Sequence, residues 1–159
     1  LITIYKKIYF KNNYFTHRDF HASNIMIQHN KLALIDNQDA IIGNPLYDVA
    51  SLIDDVRIKI PKNLQDKMFN YYLKRSNFKE SNYCHLKNDF DILSVQRNLR
   101  ILGIFTRLCK RDNKTFYLRY LPYTWKLIDR RMKNPIFKNL KLLMKKYLPL
   151  NKFKKIKTL

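Results

Sequence analysis

The chain has 159 residues, 46% hydrophobic and 14% aromatic, long and apolar enough to bury a core and too apolar for a disordered chain. Two cysteines, Cys84 and Cys109, exclude a disulfide scaffold and a structural zinc cluster, and the two glycines, Gly43 and Gly103, exclude a glycine-rich nucleotide loop within these residues. The net charge of +20 is lopsided, with seven Lys/Arg against six Asp in residues 1–60 and 25 basic against six acidic residues in 61–159.

Residues 1–10, LITIYKKIYF, fit the end of a helix or a buried strand, and residues 14–16 read as extended. The polar run THRDFHASN follows. NIMIQ (24–28) and KLALID (31–36) are strand-like, with His29-Asn30 between them as a tight hairpin turn. NQDAIIGNP (37–45) carries the Gly and Pro of a loop. Val49, Leu52, Ile53 and Val56 recur at helical spacing and predict a helix from Asp48 to about Ile60, with Asp54 and Asp55 on its solvated face. A second helix starts at Pro61 and runs through PKNLQDKMFNYYLKR; SNFKESN (76–82) is a loop, and the longest helical pattern covers 88–109. Pro122 suits the first turn of a helix reaching about Met132, and Pro135 opens a last one to about Tyr147. Residues 148–159 form a basic, frayed tail. The order predicts an α+β fold, a short β-hairpin carried on a mainly helical body. No run approaches the roughly 18 apolar residues of a membrane span. The cysteines read as reduced, core-packed thiols of a cytosolic protein.

The chemistry lies in residues 17–48. With a two-residue turn at His29-Asn30, Gln28 pairs with Lys31 and Asn24 lies opposite Ile35, so Asn24 and Asp36 are neighbours at the open end of the hairpin. Asp19, five residues before Asn24, can join them. Few ligands, all oxygen, suit Mg²⁺ that keeps waters and borrows phosphate oxygens, and do not suit zinc. Taken singly, each of the three would be a turn or cap residue; the register they share with His17 and Arg18 points to a site. His17 and His21 stand four apart, but no zincin glutamate accompanies them and the segment is not helical.

The spacing H-R-D-x-x-x-x-N, followed 12 residues later by Asp, resembles the catalytic loop and metal-binding aspartate of the protein-kinase-like fold. HRDFHASNIMI and LIDNQDAIIGNPLYDVASLIDD look less like a protein kinase than like the aminoglycoside phosphotransferase and sugar-kinase branch, with Gly43, Pro45, Tyr47, Asp48 and Ser51 in the positions of its G-x-P-x-x-D segment. QRNLRILGIFTRLCKRDNKTFYLRYLP (96–122) resembles the C-terminal region of bacterial N-acetylmuramate/N-acetylglucosamine 1-kinases. Where that family has an aromatic after the metal-binding aspartate, Asn37 stands here.

The resemblance implies ATP- and Mg²⁺-dependent phosphoryl transfer to a sugar hydroxyl, the anomeric hydroxyl of a cell-wall amino sugar. In it Asp19 is the catalytic base and Asn24 and Asp36 are the metal and nucleotide ligands. His21 either lines the phosphate side or has no part there. His17 and Arg18 support the loop from beneath, Asp39 holds the loop or meets substrate, and Asp48 is a buried carboxylate tying the next helix to the catalytic loop. The resemblance makes residues 1–147 a C-terminal lobe. The glycine-rich lid and phosphate-anchoring lysine are then expected upstream of residue 1, in cis or in trans. Other readings are a non-catalytic remnant of such a kinase and a phosphotransferase for an aminoglycoside or choline-like acceptor. A basic binding module rests on the charge of residues 61–159 alone; 22 Lys, 16 Asn and 17 Ile are also the bias of an AT-rich genome, and no specific nucleic-acid binding is expected. Trp125 and Tyr117 read as core residues rather than sugar-stacking platforms.

Overall fold

The computed structural model describes residues 2–147. The chain enters through one helical turn, α1 (Ile2–Tyr5), with Ile2 exposed and Ile4 and Ile8 packed against the body. Tyr9 and Phe10 are pinned where both backbone N–H groups donate to the carboxylate of Asp89, at 2.9 Å each. Residues 2–10 are therefore a helical turn leading into a largely exposed strap, the helix alternative rather than the buried strand.

β1 (Tyr14–Thr16) pairs antiparallel with β4 (Ile41–Gly43), Tyr14 opposite Gly43 and Thr16 opposite Ile41. A Cβ at position 43 would lie 2.7 Å from Thr16 Oγ1, so this close crossing requires glycine. Turn chemistry predicts a loop over 37–45; a partner 27 residues upstream turns three of those residues into a strand. β2 (Ile25–Gln28) and β3 (Lys31–Leu34) form a separate hairpin with Gln28 opposite Lys31. His29 and Asn30 both adopt left-handed φ, 48° and 57°, as a tight two-residue hairpin turn demands.

The helical body follows: α2 (Leu46–Ile53), α3 (Lys62–Arg75), α4 (Tyr83–Asp112), α5 (Leu121–Arg131) and α6 (Lys138–Tyr147), with a 3₁₀ segment Thr115–Tyr120 before α5. α2 stops at Ile53, well short of Ile60. The side chain of Asp55 accepts the backbone N–H of Arg57 at 2.9 Å, a local turn that competes with the helix. α4 starts at Tyr83, five residues before the predicted boundary, because Leu86, fully buried, extends its apolar stripe. It ends where Asn113 turns left-handed, φ 53°.

α4 is the axis of the core. Phe90 and Leu93 pack with Leu46, Ala50 and Ile53 of α2 and Leu73 of α3. Ile92 and Val95 pack with Ile128, Met132, Phe137, Leu140 and Met144. Phe105 packs with Val56, Leu121 and Leu127. Trp125 and Tyr117 lie against these clusters.

Asp54 and Asp55 are not on a solvated face; they are 0% and 3% exposed. Asp54 accepts two bonds from the Arg131 guanidinium, 2.8 and 2.9 Å, and others from Ser94 Oγ and Gln65 Nε2, so one carboxylate ties α2 to α3, α4 and α5. Burial works against the Arg131 charge, yet the Asp54 hydrogen bond and charge hold its pKa above the ordinary value. The cysteines also depart from expectation, for on α4 Cys84 is exposed and Cys109 half-buried. No helix among the described residues is long and apolar enough to cross a membrane. The basic tail 148–159 lies outside the described residues.

Candidate active site

The loop between β1 and β2 is held by its backbone. The N–H groups of His17 and Arg18 donate to the two oxygens of Asp48 in the first turn of α2, at 2.6 and 2.9 Å. Asp48 is half-buried, and burial pushes its pKa above the ordinary carboxylate value despite those two donors. His17 is 1% exposed, and its Nε2 donates to the carbonyl of Ile35 at 2.9 Å, joining the loop to the end of β3. Its Nδ1 is buried without a partner among the described residues. Arg18 is held at φ 71°, a left-handed conformation uncommon for residues other than glycine, and its Nη1 donates to the Asp39 carbonyl at 3.3 Å.

Asp19 and Asn24 meet. A 3₁₀ turn, Ala22–Asn24, brings Asn24 Nδ2 to 2.9 Å from the Asp19 carbonyl and 3.4 Å from Asp19 Oδ2. His21, 5% exposed, sets its Nε2 3.4 Å from the same Oδ2. The Ile35 N–H donates to the Asn24 carbonyl at 3.1 Å, so Asn24 lies opposite Ile35 and Asp36 follows immediately. Asp36 is exposed, left-handed at φ 66°, and its Oδ1 accepts from Gln38 Nε2 at 2.6 Å. Asp39 is exposed on the same loop. Asp19, with its side chain 48% exposed, forms part of the wall of a cleft of about 190 Å³ that Arg18, Asp39, Tyr47, Arg57, Arg97 and Arg100 also line.

The donor set bears on a metal. Asn24 spends its NH₂ on Asp19, which leaves Oδ1 as a free acceptor; Asp36 keeps one oxygen beside the Gln38 bond. Among the described residues no three His, Cys, Asp or Glu side chains group closely enough to hold an ion. Amide and carboxylate oxygens, as on Asn24 and Asp36, are donors of the kind taken by a hard cation that draws its remaining ligands from a phosphate, and they suit zinc poorly. His17 is committed to Ile35, so His17 and His21 form no ligand pair.

Gln38, Arg57, Arg97 and Arg100 join the site without having been singled out in the sequence. Nothing in composition or spacing separates Arg97 from the other basic residues of α4; its burial does.

The sequence has relatives. Residues 11–83 match the phosphotransferase enzyme family. An N-acetylmuramate/N-acetylglucosamine kinase of Pseudomonas aeruginosa is 32% identical over 119 residues, 72% of this chain and 35% of that protein. A kinase of the same name from Caulobacter vibrioides is 29% identical over 140 residues, 85% of this chain and 38% of that protein, and one from Neisseria meningitidis is 31% identical over 112 residues, 68% and 34%. The chain thus spans about a third of the length of the relatives it matches. The phosphotransferase segment contains β1 to β4, α2 and α3, so every residue discussed at the site except Arg97 and Arg100 lies within it.

Proposed function

We propose that residues 1–147 form the C-terminal, catalytic-loop lobe of an ATP- and Mg²⁺-dependent sugar kinase that phosphorylates the anomeric hydroxyl of a cell-wall amino sugar in the cytoplasm. The observation that carries this reading is the Asp19–Asn24 contact at the open end of the hairpin, in a chain similar to amino-sugar kinases. Asp19 takes the proton of the acceptor hydroxyl as the hydroxyl oxygen bonds to the γ-phosphorus of ATP and the bond from that phosphorus to the β,γ-bridging oxygen breaks, releasing ADP. Asn24 fixes Asp19 through its NH₂ and turns its carbonyl oxygen outward; Asn24 and Asp36 would hold Mg²⁺, which when bound neutralises phosphate charge. His21 sits behind the Asp19 carboxylate on the phosphate side. Asp48 and His17 keep the loop in register, and Arg18 and Asp39 brace each other across the cleft. Positioning and charge neutralisation account for most of the rate in such a transfer, so few groups suffice. A lid and a phosphate-anchoring lysine, in cis or in trans, complete the nucleotide site.

The test is transfer of labelled γ-phosphate by a phosphotransferase containing this segment, against N-acetylmuramate, N-acetylglucosamine, an aminoglycoside and choline. The expected product is an amino-sugar 1-phosphate, recognised by loss of reducing-end reactivity and by dependence on Asp19. Transfer to the aminoglycoside or choline alone would overturn the amino-sugar assignment.

A further inference from the structure

Two arginines of the body are buried, and they differ in what they meet. Arg131 is satisfied by both oxygens of Asp54 and lies 4.6 Å from the centre of the Phe90 ring. Arg97 is 5% exposed, and its Nη1 is buried with no hydrogen-bond partner among the described residues. Burial, helped by the Arg57 charge, pushes the Arg97 guanidinium below its ordinary pKa, opposed by Tyr47, Asp55 and Asp19. A desolvated cation without a full counter-charge is costly to keep. Arg97 lies in the wall of the cleft beside Asp19 and of a second, about 210 Å³, that shares Arg18, Tyr47 and Arg100 with it. The first cleft sets four arginines, Arg18, Arg57, Arg97 and Arg100, against two carboxylates, Asp19 and Asp39. Arg57 is tethered to Asp55 at 4.0 Å, and Arg100 reaches the Tyr47 hydroxyl at 3.5 Å from an exposed position.

We propose that the arginine-lined cleft beside Asp19 is an anion subsite, in which Arg97 anchors a carboxylate carried by the acceptor sugar and Arg100 covers it. The proposal rests on the reading of Asp19 as the group next to the reacting hydroxyl. A planar guanidinium matches a carboxylate in a two-pronged bond. Asp19 and Asp39 in the same wall disfavour a dianionic phosphate, and four arginines disfavour a cationic acceptor such as an aminoglycoside or choline. Between the two sugars in the relatives' names, N-acetylmuramate carries a lactyl carboxylate and N-acetylglucosamine does not. Arg97 therefore acts as a specificity residue that favours the acidic sugar.

The experiment uses the full 159-residue chain, with the Nε–H signals of its arginines followed by NMR during titration with N-acetylmuramate, N-acetylglucosamine and D-lactate. N-acetylmuramate and lactate are expected to shift the Arg97 signal, and N-acetylmuramate to bind at least about tenfold more tightly than its neutral counterpart. Arg97→Gln, which removes the two-pronged charged bond, should bring the two sugars within about twofold of each other. Arg100→Gln, at an exposed position that leaves the fold intact, should weaken N-acetylmuramate by a few-fold without changing N-acetylglucosamine. Equal affinity for both sugars with a static Arg97 signal would overturn the subsite and leave the amino-sugar reading standing. A lactate shift at Arg97 with neither sugar bound would support the subsite and overturn that reading. An Arg97 signal that no anion moves overturns the proposal.

Discussion

The helical body and the β region keep their apolar side chains in opposite places. From α2 to α6 the large hydrophobics gather around α4, with Leu46, Leu86, Val95, Leu127 and Phe137 fully enclosed. In the β region Ile27, Leu32, Ile42 and Phe15 are 76%, 74%, 66% and 63% exposed. The carboxylates divide the same way. Asp54, Asp89 and Asp91 are buried and each has partners, whereas Asp36 and Asp39 face water. The body holds itself together by burial; the hairpins hold little of their own. The site residues are fixed by the body reaching across, through Asp48 to the His17 and Arg18 amides, and by His17 to Ile35.

That contrast can be broken or sharpened by substitution. The largest effect on stability belongs to the body. Asp54→Ala strips Arg131, Ser94 and Gln65 of a shared partner and leaves a buried cation, a loss of about 3–5 kcal/mol that denaturant unfolding would read. A loss under about 1 kcal/mol would mean that water replaces Asp54 and that the body is looser than its contacts imply.

The site should behave in the opposite way. Asp19→Asn, in an active phosphotransferase containing this segment, should cut turnover by roughly 10²-fold, while changing stability by no more than about 0.5 kcal/mol. Equal losses in both measurements would place Asp19 among the structural carboxylates.

Asp48 stands at the boundary. Asp48→Ala leaves the His17 and Arg18 amides without their acceptor, for a cost of about 1–3 kcal/mol in unfolding and a loosened loop visible as faster amide exchange at 17 and 18. Its titration adds a sign. Burial raises the folded pKa of Asp48 and of Asp89 above the ordinary 3.8, so the folded state holds their protons more tightly than the unfolded chain. Their contribution to stability is then complete below pH 3.8 and is lost as the pH rises through their folded values. Carboxyl-carbon NMR titration gives the two pKa values directly, and values below 3.8 would show the backbone donors outweighing burial.

The smallest effect is expected on the hairpin. Ile27→Ser removes an apolar chain that already faces solvent, and unfolding should move by no more than about 0.5 kcal/mol. A larger loss would mean that the hairpin is covered in solution.

Much of this was legible along the chain. Helical spacing located the body of α3, Pro122 and Pro135 pointed to α5 and α6, and the two-residue turn set Gln28 against Lys31 and Asn24 against Ile35. These are local patterns, so the chain carries them by itself. The Asp19–Asn24 contact is likewise local, between residues five apart in the chain. The tertiary structure decided the rest. It paired β1 with β4 across 27 residues, turned Asp54 and Asp55 inward, and left Cys84 in water. It also separated Arg131, which meets Asp54, from Arg97, which meets no acceptor at Nη1 among the described residues. Residues of one type read alike in sequence; whether a charge is buried, and against what, depends on elements far away in the chain that come to lie over it.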